Sequence, residues 1–340
     1  MKKRFIALFL SLVLMVASLQ IGVYAAPSNT SMSTARALGS NVGDQITVTG
    51  LTSGQSQWFS LYANAGDWIY PCAYGMQSGD DWDIGLYNSS GTQVALSAKY
   101  GTSIEYVGYT VPSGASGTYY VKVNAYSVSG TSSWCYFKVV RSCGSSEDSS
   151  VNSNYIRTDA RHYMEVYWNS YNEAYDDMTD DGGDCTNYVS QILHYGGMAM
   201  RGNANSRDAI TSWFMDKYLD IYNTSNYSAT WSSAGYFTYH WGTNSMGTGN
   251  ERAYSCKYYI GQDIVDNFSL IKTSISVGDV IQLTSNGATG RYHTLAVYSL
   301  ESNDIKMSCH TPNTKTRSLL TEAQSNPTMM FVIIRVKAGS

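Results

Sequence analysis

The sequence predicts a multidomain protein, with an all-β sandwich in its N-terminal half and an α+β unit in its C-terminal half. From about Ser31 to Arg141, β-rich runs such as DQITVTGL, SQWFSLYA, WIYPCAYG, GTYYVKVNAY and SWCYFKVV alternate with turn signals such as Asn-Ser-Ser-Gly and Pro-Ser-Gly. After Tyr155 the apolar residues recur at helical spacing. Near the C-terminus the chain becomes strand-like again, in VGDVIQL, YHTLAVYSL, IKMSCH and MMFVIIRV.

The first 26 residues stand apart from both halves. A basic start (Lys2, Lys3, Arg4), an apolar run from about Phe5 to Val16 and small residues at Ala25 and Ala26 form the layout of a secretory signal peptide, with cleavage expected near Ala25 or Ala26. A retained anchor would need roughly 20 apolar residues, and Ser18 and Gln20 interrupt the run first. The expectation is an exported, extracellular chain with no stable membrane insertion after cleavage.

Composition narrows the partners. Net charge is −4 with 14% charged residues, which gives no basic footprint for nucleic acid. The surface must be carried by Ser, Thr, Asn, Gly and the 29 tyrosines, which fits an exported protein that handles polar polymers. Six cysteines are too few for a stapled mini-protein. Cys72 and Cys135, both in strand-like runs, are the best placed for a bridge, although buried reduced thiols fit the same pattern.

In the first half, Asp80, Asp81 and Asp83 crowd one loop and could hold calcium; solvated turn carboxylates are the blander reading. The stretch SCGSSEDSSVNSN, residues 142–154, has almost nothing to bury and reads as a linker. It divides a sandwich of residues 27–141 from a second domain of residues 155–340.

The second domain opens with YIRTDARHYMEVYWNSYNEAYDDM, where Tyr155, Met164, Tyr167, Tyr171 and Tyr175 suggest a helix with one apolar face. A glycine-containing acidic loop, residues 177–184, follows. Counting an EF-hand from Asp177 puts Tyr188 where an acid is required, so the loop is a poor calcium site. Then Tyr188, Val189, Ile192, Leu193 and Tyr195 make an apolar stripe, and Gly196-Gly197 ends that helix.

Cys185 falls in the first turn of this second helix, directly after Asp184, a good N-cap residue. Unpaired N–H groups and the positive end of the helix dipole favour a thiolate there, and the same N–H groups can bind the oxyanion of a tetrahedral intermediate. A thiolate nucleophile also needs an imidazole. Of five histidines, His293 is the best partner by position, at the mouth of the alternating strand HTLAVY. His310, at the end of the next strand, could orient that ring, and Asn313 competes for the role. Without HExxH or a paired CxxC the chain calls for no metal and no cofactor. A bridged Cys185 and purely structural histidines remain the alternative.

Two resemblances sharpen this reading. Ala37-Leu38-Gly39 with GDQITVTGL, SQWFSLYANAGD, DDWDIGLYNSSGTQVA and SGTYYVKV resemble the bacterial pre-peptidase C-terminal domain, a jelly-roll-like sandwich found beside secreted hydrolases. That domain usually follows the enzyme, whereas here it comes first. From Tyr155 onward, YIRTDARHYMEVYWNSYNEAY, GDCTNYVSQILHYGGMAM, VGDVIQL, RYHTLAVYS and SCHTPNTKTRSLL resemble the putative amidase domain family of Gram-positive bacteria, a papain-like group akin to the NlpC/P60 cell-wall endopeptidases.

The second resemblance implies Cys185 as nucleophile, His293 as general acid and base, and His310 or Asn313 as the orienting group. Asp184, Asn187 and Gln191 match the motif and are expected to shape the substrate cleft. The function implied is a secreted cysteine hydrolase cleaving an amide bond, in peptidoglycan stem peptides or in protein, with cell-wall contact through the N-terminal domain. The alternative is a non-enzymatic cell-wall or glycan-binding protein with an inactive papain-like domain.

Overall fold

The computed structural model describes residues 27–39, 42–143, 152, 154–217, 226–242, 253–285 and 290–337. The expected signal peptide and most of the expected linker lie outside these residues.

Among the described residues the first half holds ten strands: β1 (Arg36–Ala37), β2 (Ile46–Thr49), β3 (Ser56–Ala63), β4 (Asp67–Tyr74), β5 (Asp81–Tyr87), β6 (Gln93–Ser97), β7 (Glu105–Tyr106), β8 (Tyr109–Thr110), β9 (Gly117–Ser127) and β10 (Trp134–Cys143). They form two sheets, β1-β3-β9-β5-β6 and β2-β10-β4-β7, with β8 paired to β4. Alternation along each strand sends Phe59, Ile84, Leu86, Val121 and Val123 from one sheet, and Ile69, Ala73, Phe137 and Val139 from the other, into one core.

Cys72 and Cys135 are separate reduced thiols, which corrects the expected bridge. Cys72 is opposite Lys138 in the β4–β10 register, and the two cysteines belong to different hydrophobic clusters. Burial pushes the Cys72 thiol up to about 12. The Asp80 loop is a hydrogen-bonded turn: one Asp80 oxygen accepts from Ser129 N at 3.0 Å and from the Ser129 and Ser133 hydroxyls at 3.1 Å. Among the described residues no group of three or more metal-ligating acids, histidines or cysteines is present.

The second half contains helices α1 (Arg157–Tyr167), α2 (Cys185–Tyr195), α3 (Ala229–Ser232), α4 (Ala234–Gly242), α5 (Gly261–Asp266), α6 (Phe268–Thr273) and α7 (Leu319–Ser325). Its strands are β11 (Met215–Asp216), β12 (Asn226–Tyr227), β13 (Ala253–Ile260), β14 (Val280–Thr284), β15 (Arg291–Leu300), β16 (Ile305–Cys309), β17 (Thr314–Ser318) and β18 (Met330–Val336). Six of these make an antiparallel sheet in the order β13-β18-β14-β15-β16-β17.

That sheet is buried on both faces. Val280, Ala296, Val332 and Ile334 pack in one cluster with Tyr188, Val189 and Ile192 of α2. Ile281, Leu283, Leu295, Met307 and Phe331 pack in another with Ile264, Ile271 and Leu319 of α5, α6 and α7. Each fully buried aliphatic side chain stabilises the fold by about 1.5–3 kcal/mol, so α2 is held firmly. Tyr195, expected in the apolar stripe of α2, is instead exposed.

Helix α1 is shorter than its tyrosine spacing suggests. It ends at Tyr167, and the chain turns, with Ser170 N–H donating to Tyr167 O and the Asn172 side chain accepting from Ala174 N–H. Such local side-chain bonds offer the backbone an alternative to the helix. Helix α2 closes as expected: Met198 N–H donates to Leu193 O and Gly197 N–H to His194 O, with Gly197 at φ +108°.

The two halves share a core, since Trp68, Tyr70, Cys72 and Tyr74 on the outer face of β4 pack in the same cluster as Cys256 and Tyr258 of β13. β13 is an edge strand, and the sandwich covers its open backbone groups. Ser142 Oγ donates to Cys256 O at 2.6 Å, Trp68 Nε1 donates to Tyr258 O at 3.0 Å, and Ile260 N–H donates to Tyr70 OH at 3.1 Å. Covering an edge in this way removes a template for aggregation.

Candidate active site

Gly182 and Gly183, at φ +99° and +111°, turn the acidic loop into α2 in a conformation that favours glycine. Cys185 is then the first residue of the helix and is largely buried. Its amide belongs to the first turn, where N–H groups have no intrahelical acceptor.

Asp184 does not cap the helix with its side chain. Its Oδ1 accepts from Met178 N–H at 3.0 Å and Asn187 Nδ2 at 2.7 Å, and its Oδ2 faces His310 Nδ1 at 2.6 Å. Asp184 N–H donates to Thr311 Oγ1 at 3.1 Å. Thr311 has φ 56°, a left-handed conformation costing a threonine about 1–2 kcal/mol. The loop after β16 therefore grips the residue before the thiol from two sides.

Asn187 and Gln191 are also buried. Asn187 Nδ2 donates to Asp176 O at 2.7 Å as well, and Asn187 Oδ1 accepts from Trp231 Nε1 at 2.7 Å. Gln191 Oε1 accepts from Tyr163 OH at 2.5 Å. Asp184, Asn187 and Gln191, expected along a cleft, are thus committed to internal bonds that hold the loop and α2 in place.

The β14–β15 register places His293 opposite Leu283, and Thr294 opposite Gln282. Thr294 faces α2, where its hydroxyl lies 2.8 Å from that of Thr186, the residue after the thiol. Alternation along β15 sends His293 to the other face, that of Leu295. His293 is only 4% exposed, and its Nε2 is buried without a hydrogen-bond partner. Burial, with Arg317 adding to it and Glu322 opposing, pushes the His293 pKa down to about 4.

Cys309 lies on the same face as Leu295. Burial pushes its thiol up to about 12, and Arg317, Cys185 and Glu322 all act on it. Arg317 and Glu322 thus act on both Cys309 and His293, and among the described residues no hydrogen bond joins Cys185 to His293.

The expected orienting groups are placed elsewhere. His310 sits on the α2 face, stacked on Tyr188 at 3.9 Å between ring centroids, and its Nε2 is 2.8 Å from Tyr167 O. With Asp184 at its other nitrogen, His310 has none left for His293. The reason is strand parity, since the face of β15 shared with His310 carries Thr294. Asn313 Oδ1 accepts from Thr311 N–H at 3.4 Å and Tyr171 OH at 3.5 Å, and it makes no hydrogen bond to His293. Arg317 and Glu322, joined at 2.7 Å, are the charged pair beside His293. Sequence reasoning missed them, and their only signal was proximity to the SCHTPN turn.

The protein "Uncharacterized protein YhbB" of Bacillus subtilis (strain 168) is 38% identical over 80 residues, which are 24% of this chain and 22% of that protein. The chain thus spans about a fifth of that relative's length. Among solved structures, the pre-peptidase C-terminal domain of collagenase from Bacillus anthracis covers 29% of this chain and 89% of its own, at 14% identity and a TM-score of 0.23. PliG of Aeromonas hydrophila, a periplasmic inhibitor of g-type lysozyme, covers 29% of this chain and 87% of its own, at 17% identity and a TM-score of 0.23. A family model described as "Putative amidase domain" matches residues 154–334, more than half of the chain, and the protein belongs to that family.

Proposed function

We propose that the protein is a secreted thiol amidase, with a papain-like catalytic half behind a jelly-roll-like accessory domain. Cys185 is the nucleophile and His293 the general acid and base. His293 takes the thiol proton as the sulfur attacks the substrate carbonyl, and the Cys185 N–H faces the oxyanion. The imidazolium then protonates the departing amine as the C–N bond breaks, which leaves an acyl-enzyme. Water, deprotonated by His293, attacks the acyl carbon and releases the acid and the thiol.

One observation carries this reading. A buried imidazole nitrogen without a partner is costly, and His293 Nε2 is such an atom on the strand that meets the start of α2 through the Thr186–Thr294 contact. Its lowered pKa keeps the ring neutral, the form that accepts a proton. The substrates that fit the family reading and expected export are amides of peptidoglycan stem peptides or of proteins.

A second reading, a non-enzymatic cell-wall or glycan-binding protein, is favoured by the lack of a hydrogen bond between Cys185 and His293 across the two faces of β15. One experiment separates the readings. The protein and its Cys185→Ala variant are incubated with digested cell walls and with a denatured protein, and released fragments are identified by mass. Fragments from the parent alone support the amidase; none from either favours the binder.

A further inference from the structure

A cavity of about 710 Å³ lies where the sandwich meets the second half, away from Cys185. Trp68 and Tyr106 of the sandwich form one wall, and Lys257 and Tyr259 of β13 with Arg335 of β18 form another. Its volume is within the range of small-molecule sites, roughly 300–1,000 Å³.

The charges of this cavity are unbalanced. Asp263 is committed to Tyr70 OH at 2.7 Å and Asn267 Nδ2 at 2.7 Å. Asp266 is committed to Tyr106 OH at 2.5 Å, Lys99 at 3.2 Å and Gln262 at 2.9 Å. Among the described residues, neither Lys257 nor Arg335 has a carboxylate partner. The Lys257 ammonium instead lies 4.4 Å from the centre of a Trp68 ring, and the Arg335 guanidinium 4.8 Å from that of Tyr254.

Both cations are half-buried on the same face of adjacent strands. Burial and the neighbouring Arg335 lower the Lys257 pKa, so the pair is held together at a cost. An anion would offset that cost, and in a partly dehydrated cavity it would be held more strongly than at an open surface. The partly exposed Tyr259 gives the wall an aromatic surface, and Thr273 and Ser274, whose hydroxyls donate to Leu270 O and Ile271 O, line the same space with their oxygens left as acceptors. This combination suits a sugar ring, whose C–H face stacks on an aromatic ring and whose hydroxyls form hydrogen bonds.

We propose that this cavity between the two halves binds an acidic saccharide, a sugar unit bearing a carboxylate or a phosphate, with Lys257 and Arg335 holding the anion and Tyr259 stacking on the ring. The site is independent of Cys185 chemistry, so it can hold whether or not the protein is a hydrolase.

The test is calorimetric titration of the intact chain with four probes: a disaccharide containing N-acetylmuramic acid, a short glycerol phosphate oligomer carrying glucose, neutral chitobiose, and an acidic tetrapeptide. At least one acidic sugar probe is expected to bind about tenfold or more tightly than chitobiose, and more weakly as salt rises. Preference for the first assigns the anion to a carboxylate, and preference for the second to a phosphate. Lys257→Gln and Arg335→Gln should each weaken that binding by about tenfold, with unchanged circular dichroism. Equal binding of acidic and neutral sugars, no binding of any probe at millimolar concentration, or tighter binding of an acidic tetrapeptide than of either sugar would overturn the proposal. These comparisons use the unaltered protein, so they stand even if a variant fails to fold.

Discussion

Asp184 Oδ2 and His310 Nδ1 lie 2.6 Å apart in the interior, with side chains 1% and 2% exposed, and they join the residue before Cys185 to the end of β16. The pair does for the loop what an N-cap side chain would do for the helix alone. It fixes where α2 begins relative to the sheet, and it does so from a residue 126 positions away. Tyr188 stacks on the same imidazole, so α2 itself helps to hold the ring in place.

Breaking this pair should unfold the site before it alters any chemistry. Asp184→Ala leaves His310, Met178 N–H and Asn187 Nδ2 without their shared acceptor, and a loss of about 3–5 kcal/mol is expected. His310→Ala should cost a similar amount, and the double variant less than the sum. Urea unfolding of the four proteins measures this. Additive losses would mean that the two side chains act separately.

The buried His293 makes stability depend on pH with a definite sign. Its pKa is pushed down to about 4 in the folded protein, against about 6.5 in an unfolded chain. Between these values the unfolded state binds the extra proton. The contribution of His293 is therefore fully present above pH ~6.5 and lost as the pH falls toward about 4. Comparing urea midpoints at pH 7 and pH 4.5, His293→Asn should lose part of this acid sensitivity, about 2–3 kcal/mol at most. An unaltered slope in the variant would show that another group is responsible.

The same titration sets the expected rate profile. If His293 is the base, kcat/KM should hold down to about pH 4–5, below the range of an ordinary histidine. His293→Ala should lower kcat by about 10²–10⁴ while the protein stays folded. An acid limb near pH ~6.5, or turnover like that of the unaltered protein, would assign the base to a different residue.

Much of the α2 region was legible because its signals are local. Val189, Ile192 and Leu193 repeat at helical spacing, and two glycines follow. The alternation of HTLAVY likewise marked β15. The pairing of Asp184 with His310 was not legible, since nothing in the sequence says which of the long-range partners a buried carboxylate will meet. Strand parity was equally hidden. Whether His293 or Thr294 faces α2 depends on the register between β14 and β15, and a shift of one residue exchanges them. The tyrosines 171 and 175 continued the period of α1 in sequence, but the helix ends at Tyr167, the chain turns with Asn172 accepting from Ala174 N–H, and Tyr171 lies tilted against His310.

The contact between the halves gives the last prediction. Tyr70 OH donates to Asp263 Oδ2 at 2.7 Å and accepts from Ile260 N–H at 3.1 Å, so one buried hydroxyl serves an acid on α5 and the backbone of β13. Burial, reinforced by Asp263, keeps this phenol protonated well above its ordinary range. Tyr70→Phe keeps the ring and removes both bonds, leaving two buried groups unsatisfied. The expected cost is about 2–4 kcal/mol, and the loss should fall on the contact between the halves. Thermal unfolding should then change from one transition to two, because each half keeps its own sheets and core while the shared cluster is weakened. A single transition at an unchanged temperature would show that the halves are coupled elsewhere, through Trp68 and Ser142.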